Sequence, residues 1–368
     1  MMRILHIVSS MNRAGLENAL MNYYRNVDRD KIQFDFLLSK SQKGDFEDEI
    51  ESLGGRIYRI PMSNPLKYLW NLNRFFSQHK EYRICHLHHL PWGSLSLLFA
   101  SLHGVQGRFS HVHFARYPMG KLSVKRLMRW MSRHYSTRYF ACGRIAGLNF
   151  YGPSIVSSPE FRVLNNAIQS EKFSFDEEVR RSVRAGLGIA DDVLVVGQVG
   201  RMTPVKNHKF TVDILCELKK LRGGKVKCVF VGEGPLMQDI EECAKEKGVA
   251  EECIFTGSTD NPQDYMQAMD YLIFPSVIEG LGLVAVEAQA SGLRCVASSG
   301  VPSECKLTEL VDFLPLSDGA QKWASHILDN SDYVRQSRQE EILRAGYDVR
   351  SQSKELQNFY LAFSSGID

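Results

Sequence analysis

The sequence lacks any run of about 18 consecutive apolar residues, the length that a membrane-spanning helix requires. Its opening apolar stretch, residues 1–8, is too short for the core of a signal peptide, and no cleavage-like site follows it. These two absences argue against a secreted or membrane-spanning protein. We therefore expect a cytoplasmic protein.

Cysteine patterns that bind metals or form disulfide frameworks are also missing. The chain has eight cysteines but no Cys-x-x-Cys pair, and most of them lie in apolar runs such as 227–230. This distribution favours small, reduced core residues over zinc ligands or disulfides.

Acidic residues are absent from 82–159, where arginine and lysine are frequent. The net charge of the chain is only +3, so this imbalance predicts a positive face on its first half. Within 120–135, five apolar residues share one face of a predicted helix, namely Val124, Leu127, Met128, Met131 and Tyr135. Basic residues beside or opposite that face, together with one upstream, form a candidate acceptor or membrane surface: Arg116, Lys125, Arg126, Arg129 and Arg133.

Two interpretations of this basic helix remain equally open. It lies on an anionic bilayer surface, or it packs on the core with its charges merely solvated. Nucleic acid is not an expected partner, because no recognised nucleic-acid-binding pattern accompanies the charge.

The length of 368 residues fits two domains, and apolar strand segments alternate with helical ones along the whole chain. This rhythm predicts parallel sheets, whose ligands bind at the carboxyl ends of the strands. The chain is thus predicted to have an α/β fold, with an irregular, charged linker at about 169–190.

The segment 274–288 reads as a strand end, a glycine-bearing loop and the start of a helix. A helix N-terminus offers unpaired amides and partial positive charge, so this segment is a candidate phosphate site formed by Gly280, Leu281, Gly282 and Leu283. Glu279 and Glu287 flank it, and carboxylates suit sugar hydroxyls rather than phosphate. The ligand indicated is a nucleotide sugar. The alternative is an ordinary strand-loop-helix with solvated glutamates.

A second segment, 200–207, also follows an apolar run, and it supplies two cations. Arg201 and Lys206 are placed to clamp a diphosphate beside Gly200. A similar loop at 9–17 brings the Gly15 amide towards the phosphates, although a plain tight turn explains it as well. The glycine loops at 232–236 and 255–258, which include Gly257, either flank the nucleotide or are simple turns.

Gly-Arg-(five residues)-Asn with its lysine at 200–207, followed by Glu-Gly-x-Gly-(four residues)-Glu at 279–287, resembles the group-1 (family 4) retaining glycosyltransferases, in particular those of capsular and exopolysaccharide assembly. The resemblance covers nearly the whole chain. It implies a GT-B fold, with two Rossmann-like, doubly wound parallel-sheet domains facing across a cleft. Residues 1–168 would form the acceptor-side domain and 169–348 the donor-binding domain, with a final helix at 349–368 crossing back to the first.

The resemblance also implies roles for individual residues. His113, Glu279, Arg201 and Lys206 would be catalytic, with His111 the less favoured histidine and His88 either lining the cleft or packed in the interior. The expected reaction moves a hexose, with a UDP-sugar the favoured donor, to a hydroxyl of a polyprenyl-linked surface polysaccharide with retention. No cofactor and no obligatory metal are expected.

Histidines 86, 88, 89, 111 and 113 follow two strands, and His-x-His spacing suits a metal. The absence of nearby carboxylates and cysteines argues against one. Three other functions remain open: a nucleotide-sugar 2-epimerase, which the acid-free stretch disfavours, a phosphorylase with lysine-bound pyridoxal phosphate, and a non-catalytic partner subunit.

Overall fold

The structure is a computed structural model that describes residues 1–13, 15–88, 92–113 and 122–366, without the side chains of 122, 123 and 125. Its contacts divide the chain into two compact units, Met1–Ile168 with Asp348–Asp368, and Gln169–Tyr347. The sequence-based boundary at 348 is wrong by one residue. Asp348 belongs to the first unit because its carboxylate caps the last helix, accepting hydrogen bonds from the amides of Arg350 and Ser351 at 3.1 Å each.

The first unit alternates strands with helices along the chain. Its strands are β1 (Met2–Val8), β2 (Ile32–Leu38), β3 (Ile57–Arg59), β4 (Ile84–His88), β5 (Gly107–Val112), β6 (Arg138–Ala141) and β7 (Phe161–Val163). Its helices are α1 (Gly15–Asn26), α2 (Glu47–Ser52), α3 (Pro65–Gln78), α4 (Ser94–Leu102), α5 (Leu122–Tyr135), α6 (Arg144–Tyr151), α7 (Pro153–Val156) and, at the end of the chain, α15 (Val349–Ser365).

The second unit repeats this alternation. Its strands are β8 (Leu194–Val199), β9 (Val226–Val231), β10 (Cys253–Gly257), β11 (Tyr271–Phe274), β12 (Arg294–Ser298) and β13 (Val311–Leu314). Its helices are α8 (Glu177–Gly186), α9 (His208–Leu221), α10 (Met237–Glu246), α11 (Pro262–Ala268), α12 (Leu283–Ala290), α13 (Gly319–Asp329) and α14 (Gln339–Arg344). Short 3-10 turns occupy Ser170–Phe173, Pro204–Lys206, Ala250–Glu252, Ser303–Cys305 and Leu316–Asp318.

Within the described ranges, each unit contains one parallel sheet. The first has seven strands in the order β3-β2-β1-β4-β5-β6-β7, and the second has six in the order β10-β9-β8-β11-β12-β13. The strand order reverses direction between β1 and β4 and again between β8 and β11, and such switch points are where open α/β sheets bind ligands. The predicted α/β class with two parallel sheets is confirmed.

The strands β1 and β8 lie inside their sheets and are buried over most of their length. Burial on both faces agrees with their largely apolar sequences. The apolar residues at 313–316 predict the last strand there, but β13 begins and ends two residues earlier, at Val311–Leu314. Pro315 follows directly and has no amide hydrogen to donate to a neighbouring strand.

Helix α15 packs on the core of the first unit, where Val349, Leu356, Phe359 and Tyr360 join residues of β1 and β2. Trp323 of α13 is fully buried in the core of the second unit. Among the described residues, no helix is both long enough and apolar enough to cross a bilayer.

Candidate functional site

Two loops that are far apart in sequence meet at the carboxyl edge of the second sheet. One follows β8 and the other follows β11, and these strands are hydrogen-bonded neighbours. The amide of Val277 donates to the carbonyl of Val205 over 2.8 Å, which ties the loops together. The structure therefore brings the two predicted phosphate-binding segments into one site.

Lys206 lies at the centre of this site. Its Nζ is 2.6 Å from Glu279 Oε1, and the two side chains are 22% and 13% exposed. The ammonium also lies 5.2 Å from the centre of the Phe274 ring, a cation–π contact. Lys206, predicted to bind the diphosphate, and Glu279, predicted to bind the sugar, thus contact each other.

The backbone around the lysine is fixed by residues that the sequence reasoning did not assign. The carbonyl of Lys206 accepts a hydrogen bond from Gln198 Nε2 at 2.7 Å, and Gln198 Oε1 accepts one from Thr211 at 2.6 Å. Asn207 adopts a left-handed conformation with φ 56° and directly precedes α9. Asparagine tolerates this conformation better than most residues, so the asparagine at the end of 200–207 is a sequence signal for this backbone turn.

Gly282 is required where α12 begins. Its φ is 88°, and a Cβ there would lie 2.9 Å from Val301 and 3.1 Å from Phe274. The first amides of α12 have no intrahelical acceptor and carry the positive end of the helix dipole. Gly280 precedes them in a bend, and Leu283 is the first helical residue. The Leu281 side chain is buried, so this residue contributes packing to the loop.

Glu287 lies on the first turns of α12 with its side chain partly buried. Desolvation raises the pKa of its carboxyl from 4.5 to about 7, and the positive charge of Lys206 opposes that shift. A carboxyl in this environment holds a proton near neutral pH unless a ligand donates hydrogen bonds to it.

The loop that carries Glu279 is supported by the segment after β12. The Glu279 amide donates to the carbonyl of Gly300 at 3.1 Å, and the Ser298 hydroxyl donates to the carbonyl of Ser276. A Cβ on Gly300 would lie 2.2 Å from the carbonyl oxygen of Val277. The sequence analysis did not identify this support. The apolar residues at 294–297 predict a strand, however, and Gly300 follows its carboxyl end, where parallel sheets bind ligands.

Three glycine loops meet beside Lys206. Gly200, with φ 144°, follows β8, and a Cβ on Gly232 would lie 2.4 Å from its carbonyl oxygen. The Gly232 amide donates to the carbonyl of Gly257 at 3.0 Å. Close backbone packing explains Gly232, whereas a Cβ on Gly257 would meet no atom within 4 Å, so a φ of 69°, which suits a turn, is what favours glycine there. Arg201 follows Gly200 and its side chain is exposed.

In the first unit, His113 directly follows β5 and is buried. Its Nε2 lies 2.9 Å from His88 Nδ1, so His88 is an interior hydrogen-bond partner of His113. Desolvation lowers the pKa of His113 to about 3, against the opposing effect of Asn166. The imidazole is therefore neutral at physiological pH. His111, the other candidate, is also buried and lies 3.8 Å from His113 between ring centres.

Gly15 begins α1, and no atom lies within 4 Å of a Cβ built on it. Close packing therefore does not require glycine at this position. Residue 14 of the loop 9–17 and His89, one of the histidines after β4, lie outside the described residues.

The basic helix α5 differs from the predicted pattern at one apolar position. Met128 and Met131 are buried, but Leu127 is 46% exposed beside Trp130, which is 55% exposed. Leu127 does not pack with Met128 and Met131, because the helix turns Met128 and Ser132 towards α4, where the Ser94 hydroxyl lies 2.7 Å from the Ser132 hydroxyl.

The basic residues of α5 do not all have the same environment. Arg126 and Arg133 are exposed, whereas Arg129 donates to the carbonyl of Asn149 at 2.7 Å. The predicted surface residue Arg116 and the side chain of Lys125 lie outside the described part of the chain.

Comparisons with known proteins agree with this geometry. Residues 179–309, which include both loops of the site, match the family model described as "Glycosyl transferases group 1". "Putative glycosyltransferase EpsF" of Bacillus subtilis (strain 168) is 34% identical over 369 residues, which is 97% of this chain and 96% of that protein. "Capsular polysaccharide biosynthesis glycosyltransferase CapH" of Staphylococcus aureus is 24% identical over 81% of this chain and 82% of that protein.

A solved structure has a similar fold. Anabaena Alr3699/HepE in complex with UDP superposes with a TM-score of 0.81 at 16% sequence identity, over 98% of this chain and 100% of that chain.

Proposed function

Because this chain belongs to the group 1 glycosyltransferases, we propose that it is a retaining, family 4 hexosyltransferase that uses a nucleotide-diphospho-sugar, with a UDP-sugar favoured. The acceptor is a hydroxyl of a growing, polyprenyl-linked surface polysaccharide. The observation that carries the proposal is the contact of Lys206 with Glu279, in the loop that leads into α12, at the switch point of the second sheet.

In this proposal, the donor diphosphate is bound by Lys206, by Arg201 and by the first amides of α12, including those at Gly282 and Leu283. Both cations stabilise the negative charge that develops on the diphosphate as the bond to the anomeric carbon breaks. The donor site then needs no obligatory divalent metal, since two cations and a helix N-terminus already neutralise the leaving group.

The carboxylates bind the neutral ends of the donor. Glu287 accepts hydrogen bonds from ribose hydroxyls, and Glu279 accepts them from sugar hydroxyls after Lys206 has turned to the diphosphate. His113 positions the sugar as a neutral imidazole. The acceptor hydroxyl attacks the anomeric carbon from the face that the diphosphate leaves, which gives retention.

The proposed acceptor carries a lipid, and the exposed arginines of α5 support that part of the proposal. Arg126 and Arg133 lie beside the exposed ring of Trp130. Basic and aromatic residues on one helix face suit the headgroup region of an anionic bilayer. We therefore propose a cytoplasmic enzyme that associates peripherally with the inner face of the membrane.

A thermal-unfolding screen against UDP, GDP, ADP and their sugars tests the donor class. A ligand that binds the folded state raises the melting temperature according to RT ln(1 + [L]/Kd). We expect UDP and one UDP-sugar to give the largest shift, and Lys206→Ala to reduce it. Lys209→Ala is the matched control, because Lys209 is exposed on the first turn of α9. If no nucleotide shifts the transition, the nucleotide-sugar proposal is wrong.

A further inference from the structure

Five histidines form a single buried cluster at the carboxyl edge of the first sheet. They come from β1, β4 and β5 with the residue after it, namely His6, His86, His88, His111 and His113. His6 and His86 are register partners across neighbouring strands, and His88 lies two residues further on the same face of β4. In the sequence His6 lies 80 residues before His86, and the strand order β1-β4-β5 brings all five histidines together.

Three of these rings, those of His6, His86 and His88, meet at the switch point between β1 and β4. The ring centres of His6, His86 and His88 lie 4.6 to 5.5 Å apart. One nitrogen from each ring can be chosen so that all three lie within 4.8 Å of one another. His6 Nδ1 and His88 Nε2 are already 2.9 Å apart. Two imidazole nitrogens that bind one Zn²⁺ at about 2.0–2.1 Å are separated by roughly 2.9–3.4 Å.

Apolar and neutral groups enclose this cluster. The small cavity among the rings is lined on its other sides by residues of α1 and α15, including Leu20, Tyr23, Leu356 and Tyr360. Its volume of ≈ 10 Å³ admits the centre of about one water-sized sphere. No described residue that lines the cavity is acidic.

The histidines offer nitrogen lone pairs in an uncharged environment. All three rings are buried among apolar or uncharged groups, and a neutral imidazole offers one nitrogen lone pair to a metal. His86 Nε2 is buried and has no hydrogen-bond partner among the described residues. Buried polar atoms are rarely left in this condition, so this nitrogen is placed to bind an ion.

We propose that His6, His86 and His88 bind one divalent transition metal, for which Zn²⁺ is the expected ion because three imidazoles and one small ligand satisfy its tetrahedral preference. The small cavity holds the fourth ligand, a water molecule or hydroxide. The role of this site is to stabilise the carboxyl edge of the first sheet and its contact with α15.

A hydrogen bond from α15 orients the second ligand. His86 Nδ1 lies 2.6 Å from the Tyr360 hydroxyl. When Nδ1 carries the proton and donates it to this oxygen, the lone pair of His86 is on Nε2, the nitrogen that has no other partner. Metal-bound histidines in general use their second nitrogen in this way, and loss of such a partner costs about 10- to 100-fold in metal affinity.

The test uses the full chain, stripped with a chelator and then equilibrated with Zn²⁺ or Co²⁺. We expect one Zn²⁺ per chain after desalting by elemental analysis, a raised melting temperature, and an intense visible Co²⁺ spectrum of the kind given by a four-coordinate site. A wild-type chain that is folded by circular dichroism but retains no Zn²⁺ after stripping, equilibration with Zn²⁺ and desalting would overturn the proposal.

Four variants locate the site. His86→Gln should weaken Zn²⁺ binding by more than about 100-fold, and Tyr360→Phe, which removes one oxygen, by about 10- to 100-fold. His134→Gln is the control, because His134 is exposed on α5, and it should bind Zn²⁺ as the wild type does. If His111→Gln abolishes binding and His86→Gln does not, the ligands are the neighbouring triad of His88, His111 and His113, and the assignment is wrong.

Discussion

The contact between Lys206 and Glu279 gives opposite expectations for two variants. The ammonium is 2.6 Å from the carboxylate, and a bound diphosphate must compete with that carboxylate for it. Lys206→Ala removes a charge-assisted hydrogen bond to the diphosphate, worth about 1.5–3 kcal/mol, which corresponds to roughly a 10- to 150-fold higher Kd for UDP.

Glu279→Gln should act in the other direction on the same ligand. The neutral amide competes less for the ammonium, so UDP should bind more tightly, by up to about 1 kcal/mol or roughly 5-fold, because the pair is partly solvent-exposed. Turnover of the UDP-sugar should nevertheless fall, since the amide cannot accept sugar hydroxyls as a carboxylate does.

Isothermal titration calorimetry with UDP at fixed ionic strength measures both effects, because salt screens phosphate contacts. Lys209→Ala controls for the loss of one positive charge from the same region. A Kd that changes equally little in Lys206→Ala and Lys209→Ala would refute the diphosphate contact. If Glu279→Gln weakened UDP binding as strongly as Lys206→Ala, the carboxylate would hold the lysine in place rather than compete for it.

Three further outcomes are expected. Because the folded-state pKa of Glu287, about 7, exceeds its ordinary 4.5, its contribution to stability is full below about pH 4.5 and is lost as the pH rises through 7. The free energy of unfolding of the wild type should therefore fall relative to that of Glu287→Gln over that range, by about 1–2 kcal/mol after allowance for solvent access. Melting temperatures of the two proteins measured across the same pH range show this as a growing difference. Gly300→Ala should destabilise the second unit by about 1–3 kcal/mol in urea unfolding, because its Cβ would overlap the Val277 carbonyl oxygen, whereas Gly186→Ala, with open space at its Cβ, should not destabilise it. The wild type should float with anionic vesicles and a double Arg126→Glu, Arg133→Glu variant should stay in solution; an equal distribution of the two would contradict the membrane-surface proposal.

Local patterns were sufficient for most of the secondary structure. Continuous apolar runs predicted β1 and β8, since a strand covered on both faces has no polar side, and these elements are observed. The predicted GT-B class agrees with the two parallel sheets and with the similarity to solved glycosyltransferase structures. The predicted strand at 313–316 extends past the observed end of β13 at Leu314. Pro315 has no amide hydrogen to donate to a neighbouring strand, and this local signal is present in the sequence.

Several residues of the site could not be found from spacing. Gln198 and Thr211 hold the backbone of Lys206, and both read as ordinary positions in a strand and a helix. Gly300 supports Glu279 from a loop that is remote in the chain, so no pattern at 274–288 includes it. The exposure of Leu127 also escaped prediction, because helical spacing defines a face but not the direction in which the helix turns it.

The sequence by itself determined the alternation of strands and helices and the residue types at each strand end, because both depend on short-range periodicity and backbone preference. The tertiary structure decided which strand ends are neighbours. Only the order β1-β4-β5 places His6 beside His86 and His88, and only the pairing of β8 with β11 brings Lys206 within 2.6 Å of Glu279. Strand order depends on contacts between residues far apart in the chain, and local spacing does not contain them.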